Sequence, residues 1–74
     1  MDLIGGIVRV VHGNGSFDMD VDWQASGNEG FYNSVERVRV AGEPPTAELQ
    51  GKQVEVRVQK RDGYRLIGIF SFVG

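Results

Sequence analysis

Seventy-four residues with 11 glycines, two prolines and no cysteine make one domain, 1–74, near the lower size limit for independent folding, and leave no room for two. The missing cysteines exclude a disulfide framework, a thiolate zinc site and a cysteine nucleophile. No apolar run approaches the roughly 18 residues of a membrane helix, and Met1-Asp2-Leu3-Ile4-Gly5 lacks the basic start of a signal peptide, so a soluble cytoplasmic chain without membrane contact is expected.

A core of this size supplies only about 3–5 kcal/mol, which makes a homo-oligomer the expected state. The formal net charge of −2 is unevenly distributed. Residues 1–36 carry one base against six acids, net −5, and residues 37–74 carry seven bases against four acids, net +3. Two arrangements satisfy that asymmetry: a basic binding face, or acidic strands lying beside basic ones and neutralising them.

The periodicity along the chain is two. Ile4 to Val11 is apolar and β-branched apart from Gly5, Gly6 and Arg9, and His12-Gly13-Asn14-Gly15 tolerates a tight turn. Phe17 to Trp23 then alternates without fault, with Phe17, Met19, Val21 and Trp23 on one face and Asp18, Asp20 and Asp22 on the other. The two strands form a hairpin in which Val10 opposes Phe17 and Val8 opposes Met19, because the neighbouring register would bury Arg9.

Gln24 to Ser34 is rich in Gly, Ser and Asn and reads as a long loop carrying Phe31 and Tyr32, one to anchor it and the other free to stack. A third strand covers Val35 to Ala41, Val38 and Val40 inward and Arg37 and Arg39 outward, with Glu36 implying a late start or a bulge. Pro44-Pro45 ends it, and Thr46 to Gln50 makes one helical turn closed by Gly51, leaving Leu49 to plug one end of a barrel. Gln53 to Lys60 is a fourth strand with Val54, Val56 and Val58 inward. Asp62-Gly63 turns the chain into a fifth, Tyr64 to Val73, registered so that Ile67 opposes Val58 and Ile69 opposes Val56.

Five strands with a short helical element between the third and fourth are expected to close into an all-β barrel of the oligonucleotide/oligosaccharide-binding (OB) type, with an SH3-like barrel as the alternative. Gly6-Ile7-Val8-Arg9-Val10, the turn, Phe17-Asp18-Met19-Asp20-Val21 and later Leu49-Gln50-Gly51-Lys52-Gln53-Val54-Glu55-Val56 resemble the opening and fourth strands of small bacterial OB proteins of the translation initiation factor one type, over about half the chain.

Few residues advertise chemistry. Asp18, Asp20, Asp22 and Glu29 fall at positions one, three, five and twelve of a calcium loop, but Trp23 replaces the glycine of the sharp turn, and carboxylates alternating on a flat strand stand about 6.6–6.8 Å apart. A solvated strand face pairing with Arg9, Arg37 or Arg39 is the simpler reading. His12 is the only histidine and sits in a turn with no catalytic partner near it in sequence. No catalytic residue, metal or cofactor is therefore expected, and the chain reads as a non-enzyme.

The last strand is the most informative segment. If Ile67, Ile69 and Val73 fill the core, Tyr64, Leu66, Phe70 and Phe72 point outward beside Arg57, Gln59 and Arg61. Such a face suits single-stranded nucleic acid, with Arg57, Arg61 and Arg65 on phosphates and Tyr32, Tyr64 or Phe70 under bases. It equally suits a subunit interface made by Tyr64, Leu66, Phe70 and Phe72. A third arrangement is a strongly coiled strand with both faces inside its own barrel. The leading expectation is a non-catalytic nucleic-acid-binding module. Its alternative is a homo-oligomeric protein-interaction or structural module with no nucleic-acid role. The sequence pI of about 5.2 opposes the first, because Lys and Arg supply most non-specific affinity for phosphate.

Overall fold

Alternating apolar residues form the strands, and ten of those side chains meet inside a closed barrel. The computed structural model describes residues 1–74, with strands β1 (Asp2–Val11), β2 (Ser16–Gln24), β3 (Val35–Val40), β4 (Gln53–Asp62) and β5 (Arg65–Val73), and a 3₁₀ turn at Ala47–Leu49. The sheet closes in the order β1-β2-β3-β5-β4, with β3 and β5 parallel and every other pair antiparallel. This closure, with its helical element between β3 and β4, is OB-like and not SH3-like. No helix is long and apolar enough to cross a membrane.

The core comprises Ile4, Val8, Phe17, Met19, Val38, Val40, Val54, Val56, Val58 and Leu66. Leu49 packs against it from the 3₁₀ turn as expected, and Gly51 follows with φ +84°, the left-handed conformation that glycine adopts without strain. Phe70 enters from β5 and stacks on Phe17 at a centroid distance of 5.5 Å.

Four register shifts, two in each hairpin, change the sides on which expected residues lie. In the first hairpin Val8 opposes Met19 as expected, but an extra residue at Arg9 sets Val11 opposite Phe17 and Val10 opposite Asp18, leaving Val10 exposed. A second shift, between Gly5 and Gly6, brings Trp23 out of the alternation, so that it is 46% exposed and lies across Gly5 instead of filling the core. Glu36, by contrast, neither delays β3 nor bulges it. The strand starts at Val35, and Glu36 faces inward on the same side as Val38 and Val40, only 2% exposed.

The last hairpin is displaced by a full residue at its turn. Asp62 pairs with Arg65, so the two-residue loop is Gly63-Tyr64 and not Asp62-Gly63. Gly63 has φ +64° whereas no non-glycine residue has positive φ, which is the backbone requirement of a type II′ turn beginning at Gly63. A type I′ turn at Asp62-Gly63 would have forced Asp62 to positive φ. Moving the turn alone preserves the faces, but an extra residue at Gln59 then sets Val58 opposite Gly68 and Val56 opposite Phe70, so the β5 side chains from Leu66 to Phe70 change face. Leu66 and Phe70 point inward and Ile67 and Ile69 outward, the reverse of the sequence expectation.

Candidate functional site

The same slip redistributes the residues expected to form a binding face. Leu66 is 1% exposed in the core and Phe70 is held there by its stack on Phe17, so neither side chain is available to a base or to a second subunit. Phe72 does lie outside, beyond a further register shift between Glu55 and Val56, and Tyr64 is exposed at the hairpin tip. Arg57 is exposed on the outer face between Leu3 of β1 and Ile69 of β5. Arg61 leaves that face: an extra residue at Gln59 shifts the end of β4, and its guanidinium turns to Glu36, Nη2 lying 3.0 Å from Oε2.

Through Arg61, the Arg61–Glu36 ion pair borders a cleft. The cleft, about 340 Å³, runs between Leu66, Lys60, Asp2 and the loop residues Gly30, Phe31 and Tyr32. The aromatic pair has one anchor, and it is Tyr32, which packs on the core and donates a short hydrogen bond from its hydroxyl to Asp2 Oδ2. Burial and then the Asp2 carboxylate push the Tyr32 phenol up to about 12. The phenol, followed by the backbone N–H groups of Glu29 and Gly30, holds Asp2 below the usual carboxylate range. Phe31 is the free aromatic of the two, 95% exposed, so Tyr32 is not the one open to contact that the sequence suggested.

A second concave surface lies where the parallel β3–β5 pair meets the end of β4. It is a groove of about 290 Å³ bounded by Arg39, Val40, Ala41, Lys60, Asp62, Arg65 and Ile67. The register explains the convergence: Arg39 and Lys60 both pair with Ile67, from β3 and β4 respectively, so two cations flank one aliphatic side chain in a single cross-strand row. Strands spaced about 4.7–4.9 Å apart set the two backbones roughly 9–10 Å from one another. The adjacent row is Arg37, Arg65 and Asp62. Arg65 pairs with Asp62 at 3.4 Å, whereas Arg39 and Lys60 have no acidic partner. Neither was a candidate from the sequence. Arg39 was legible as an outward residue, but nothing in the alternation says that β3 closes against β5.

The acidic strand is largely neutralised by its neighbours. Asp20 lies 3.8 Å from Arg9, and Asp18 lies between Arg37 and His12, with Arg37 Nε at 2.9 Å from Oδ1 and His12 Nε2 at 3.2 Å from Oδ2. His12 Nε2 is otherwise without a polar partner. The Arg37 hydrogen bond, ahead of the contact with His12, holds Asp18 below the usual carboxylate range against the opposing effect of burial. Arg37 is in turn raised, by Asp18 first and Tyr64 after it.

A carboxylate with a depressed pKa stabilises the fold above its unfolded-state value, and the contribution disappears as pH falls through the folded-state value. Melting temperature is therefore expected to drop below about pH 4. Asp18→Asn should lower the plateau stability at neutral pH and make this acid limb shallower. An acid limb of unchanged steepness in Asp18→Asn would assign it to other carboxylates.

Comparison with protein-family models, with curated proteins and with solved structures finds no match to this chain.

Proposed function

We propose that this barrel is a non-catalytic binding module that takes single-stranded nucleic acid along the β3–β5–β4 groove, Arg39 and Lys60 meeting phosphates and Tyr64 stacking on a base. The observation that carries this reading is the cross-strand row in which two unpartnered cations flank Ile67. Beside it, Arg65 is only half engaged with the exposed Asp62, and Tyr64 stands 78% exposed at the hairpin tip. Groove, cations and aromatic face together form the combination that holds a strand without reading its sequence, backbone on charge and base on ring.

The net negative charge does not oppose this arrangement as strongly as its value suggests. At physiological salt, exposed charges more than about 8 Å apart are largely screened. What an approaching phosphate meets is then the local surplus at the groove, while Asp18 and Asp20 are occupied by Arg37, His12 and Arg9.

A fluorescently tagged mixed-sequence oligonucleotide, titrated by anisotropy at several salt concentrations, tests the reading. Binding should weaken with salt along a line whose slope is about −0.7 per phosphate contacted on a single strand. Arg39→Ala and Lys60→Ala should each weaken binding to all sequences alike and flatten the slope by about one contact. Absence of binding at low salt, or an unchanged slope in both variants, would remove nucleic acid as the ligand of this groove.

A further inference from the structure

The parallel pairing that closes the barrel is short, and it leaves half of β5 with an open edge. Partners on β3 extend only from Arg65 to Gly68, and the last contact on that side is the hydrogen bond from Ala41 N–H to the Gly68 carbonyl. From Ile69 to Val73 the strand pairs with β4 alone. This stretch, Ile-Phe-Ser-Phe-Val, carries no charge and no proline, the two devices that usually protect an edge.

Backbone direction along the edge follows from two observed bonds. Gly68 sends its carbonyl toward β3, so Ile69 turns to β4 and Phe70 faces the open side, since successive residues of a strand alternate. At the far end Gly74 donates its N–H to the Gln53 carbonyl on β4, so Val73 faces the open side. Between them Ser71 is the extra residue opposite Glu55. The outward N–H and C=O pairs are thus at Phe70 and Val73, three residues apart, whereas a regular strand spaces them two apart.

That spacing decides what can dock. A peptide in regular extended conformation satisfies one of the two outward pairs and misses the other. A second copy of this edge, laid antiparallel about a two-fold axis, carries the same irregularity, so that Phe70 meets the partner's Val73 and Val73 meets the partner's Phe70 at once. We propose that β5 edges pair antiparallel between two copies of this chain, joining two barrels through four backbone hydrogen bonds. Phe72 and Val73, 49% and 45% exposed in the single chain, lie at that junction. The surface is separate from the basic groove, so its fate is independent of the nucleic-acid reading.

Sedimentation equilibrium from micromolar to millimolar chain, with amide exchange of the same samples, tests the pairing. The expected result is a mass rising from 8.2 kDa to twice that value, with exchange at Phe70 and Val73 slowing as the dimer forms. Val73→Pro deletes an edge donor that makes no bond to β4, and it should hold the mass at 8.2 kDa while leaving the far-ultraviolet circular dichroism of dilute protein unchanged. A wild-type mass that stays at 8.2 kDa throughout overturns the proposal. So does a dimer in which the Phe70 and Val73 amides exchange at the monomer rate, a readout that needs no variant to fold.

Discussion

Gly6→Ala is expected to leave the chain predominantly unfolded at 25 °C. A Cβ at this position would land inside the Asp20 carbonyl group of β2, within the pairing that builds the first hairpin, and the obstacle is backbone, not a side chain able to rotate away. Gly6 has ordinary negative φ, so close approach and not backbone freedom is what requires glycine here. Overpacking typically costs about 1–3 kcal/mol and more where strands must separate, against a ten-residue core whose whole yield is about 3–5 kcal/mol. The adjacent Gly5→Ala is the control. Its Cβ would meet Trp23 Cε3 at 3.4 Å, an ordinary contact, and the loss of unfolded-state freedom should leave stability within about 1 kcal/mol of wild type. Urea denaturation of the two variants decides the matter: equal midpoints would mean that β1 and β2 can part at Gly6 without cost.

The contrast between these two glycines shows what the amino-acid order makes legible and what it does not. Strand content, the succession of elements along the chain, the helical turn and the inward valines of β3 and β4 all follow from period-two alternation and from Gly and Pro punctuation, which are local properties. The bulges at Arg9, Gln59 and Ser71 are different in kind. They answer the need of a five-stranded sheet to coil through a full closure, and a one-residue insertion there leaves no mark on composition while reversing faces beyond it. Tandem Gly5-Gly6 was the available sign that β1 is crowded, whereas Asp62-Gly63 suits a type I′ turn and gave no sign that the last turn begins at Gly63.

For the candidate site the divide falls in the same place. Tyr64 and Arg65 were found because a hairpin tip and its flank can be placed from the turn alone. Arg39 was missed because its neighbours, Ile67 and Lys60, are brought to it by the parallel closure and by the bulge at Gln59. Arg61 was assigned to the outer face by unbroken alternation, and Glu36 was read as a defect in β3. The two errors are one fact: the acid faces inward because the base reaches it.

That pair carries the second large effect. Glu36 is 2% exposed on its side chain and accepts from Arg61 Nη2 at 3.0 Å and from the Asn33 backbone N–H at 2.8 Å, while the Arg61 side chain is 39% exposed. Arg61→Ala strands the carboxylate with only the Asn33 donors. For a fully enclosed pair the loss would approach about 3–5 kcal/mol, but water reaches the arginine side, so about 1–3 kcal/mol is the fitting expectation. The discriminating measurement is a double-mutant cycle in urea. With Arg61 present, Glu36→Gln removes a charge-assisted acceptor and should destabilise. In the Arg61→Ala background the same change replaces a stranded carboxylate with a neutral amide and should stabilise. A reversal of sign is the signature of an ion pair whose role is structural, and Glu36→Gln acting in one direction in both backgrounds would show that Arg61 does not neutralise Glu36. The same variant also separates structure from binding: Arg61→Ala should move the urea midpoint without flattening the oligonucleotide salt slope, whereas Arg39→Ala should flatten the slope without moving the midpoint, because only Arg39 has its charge free for a phosphate.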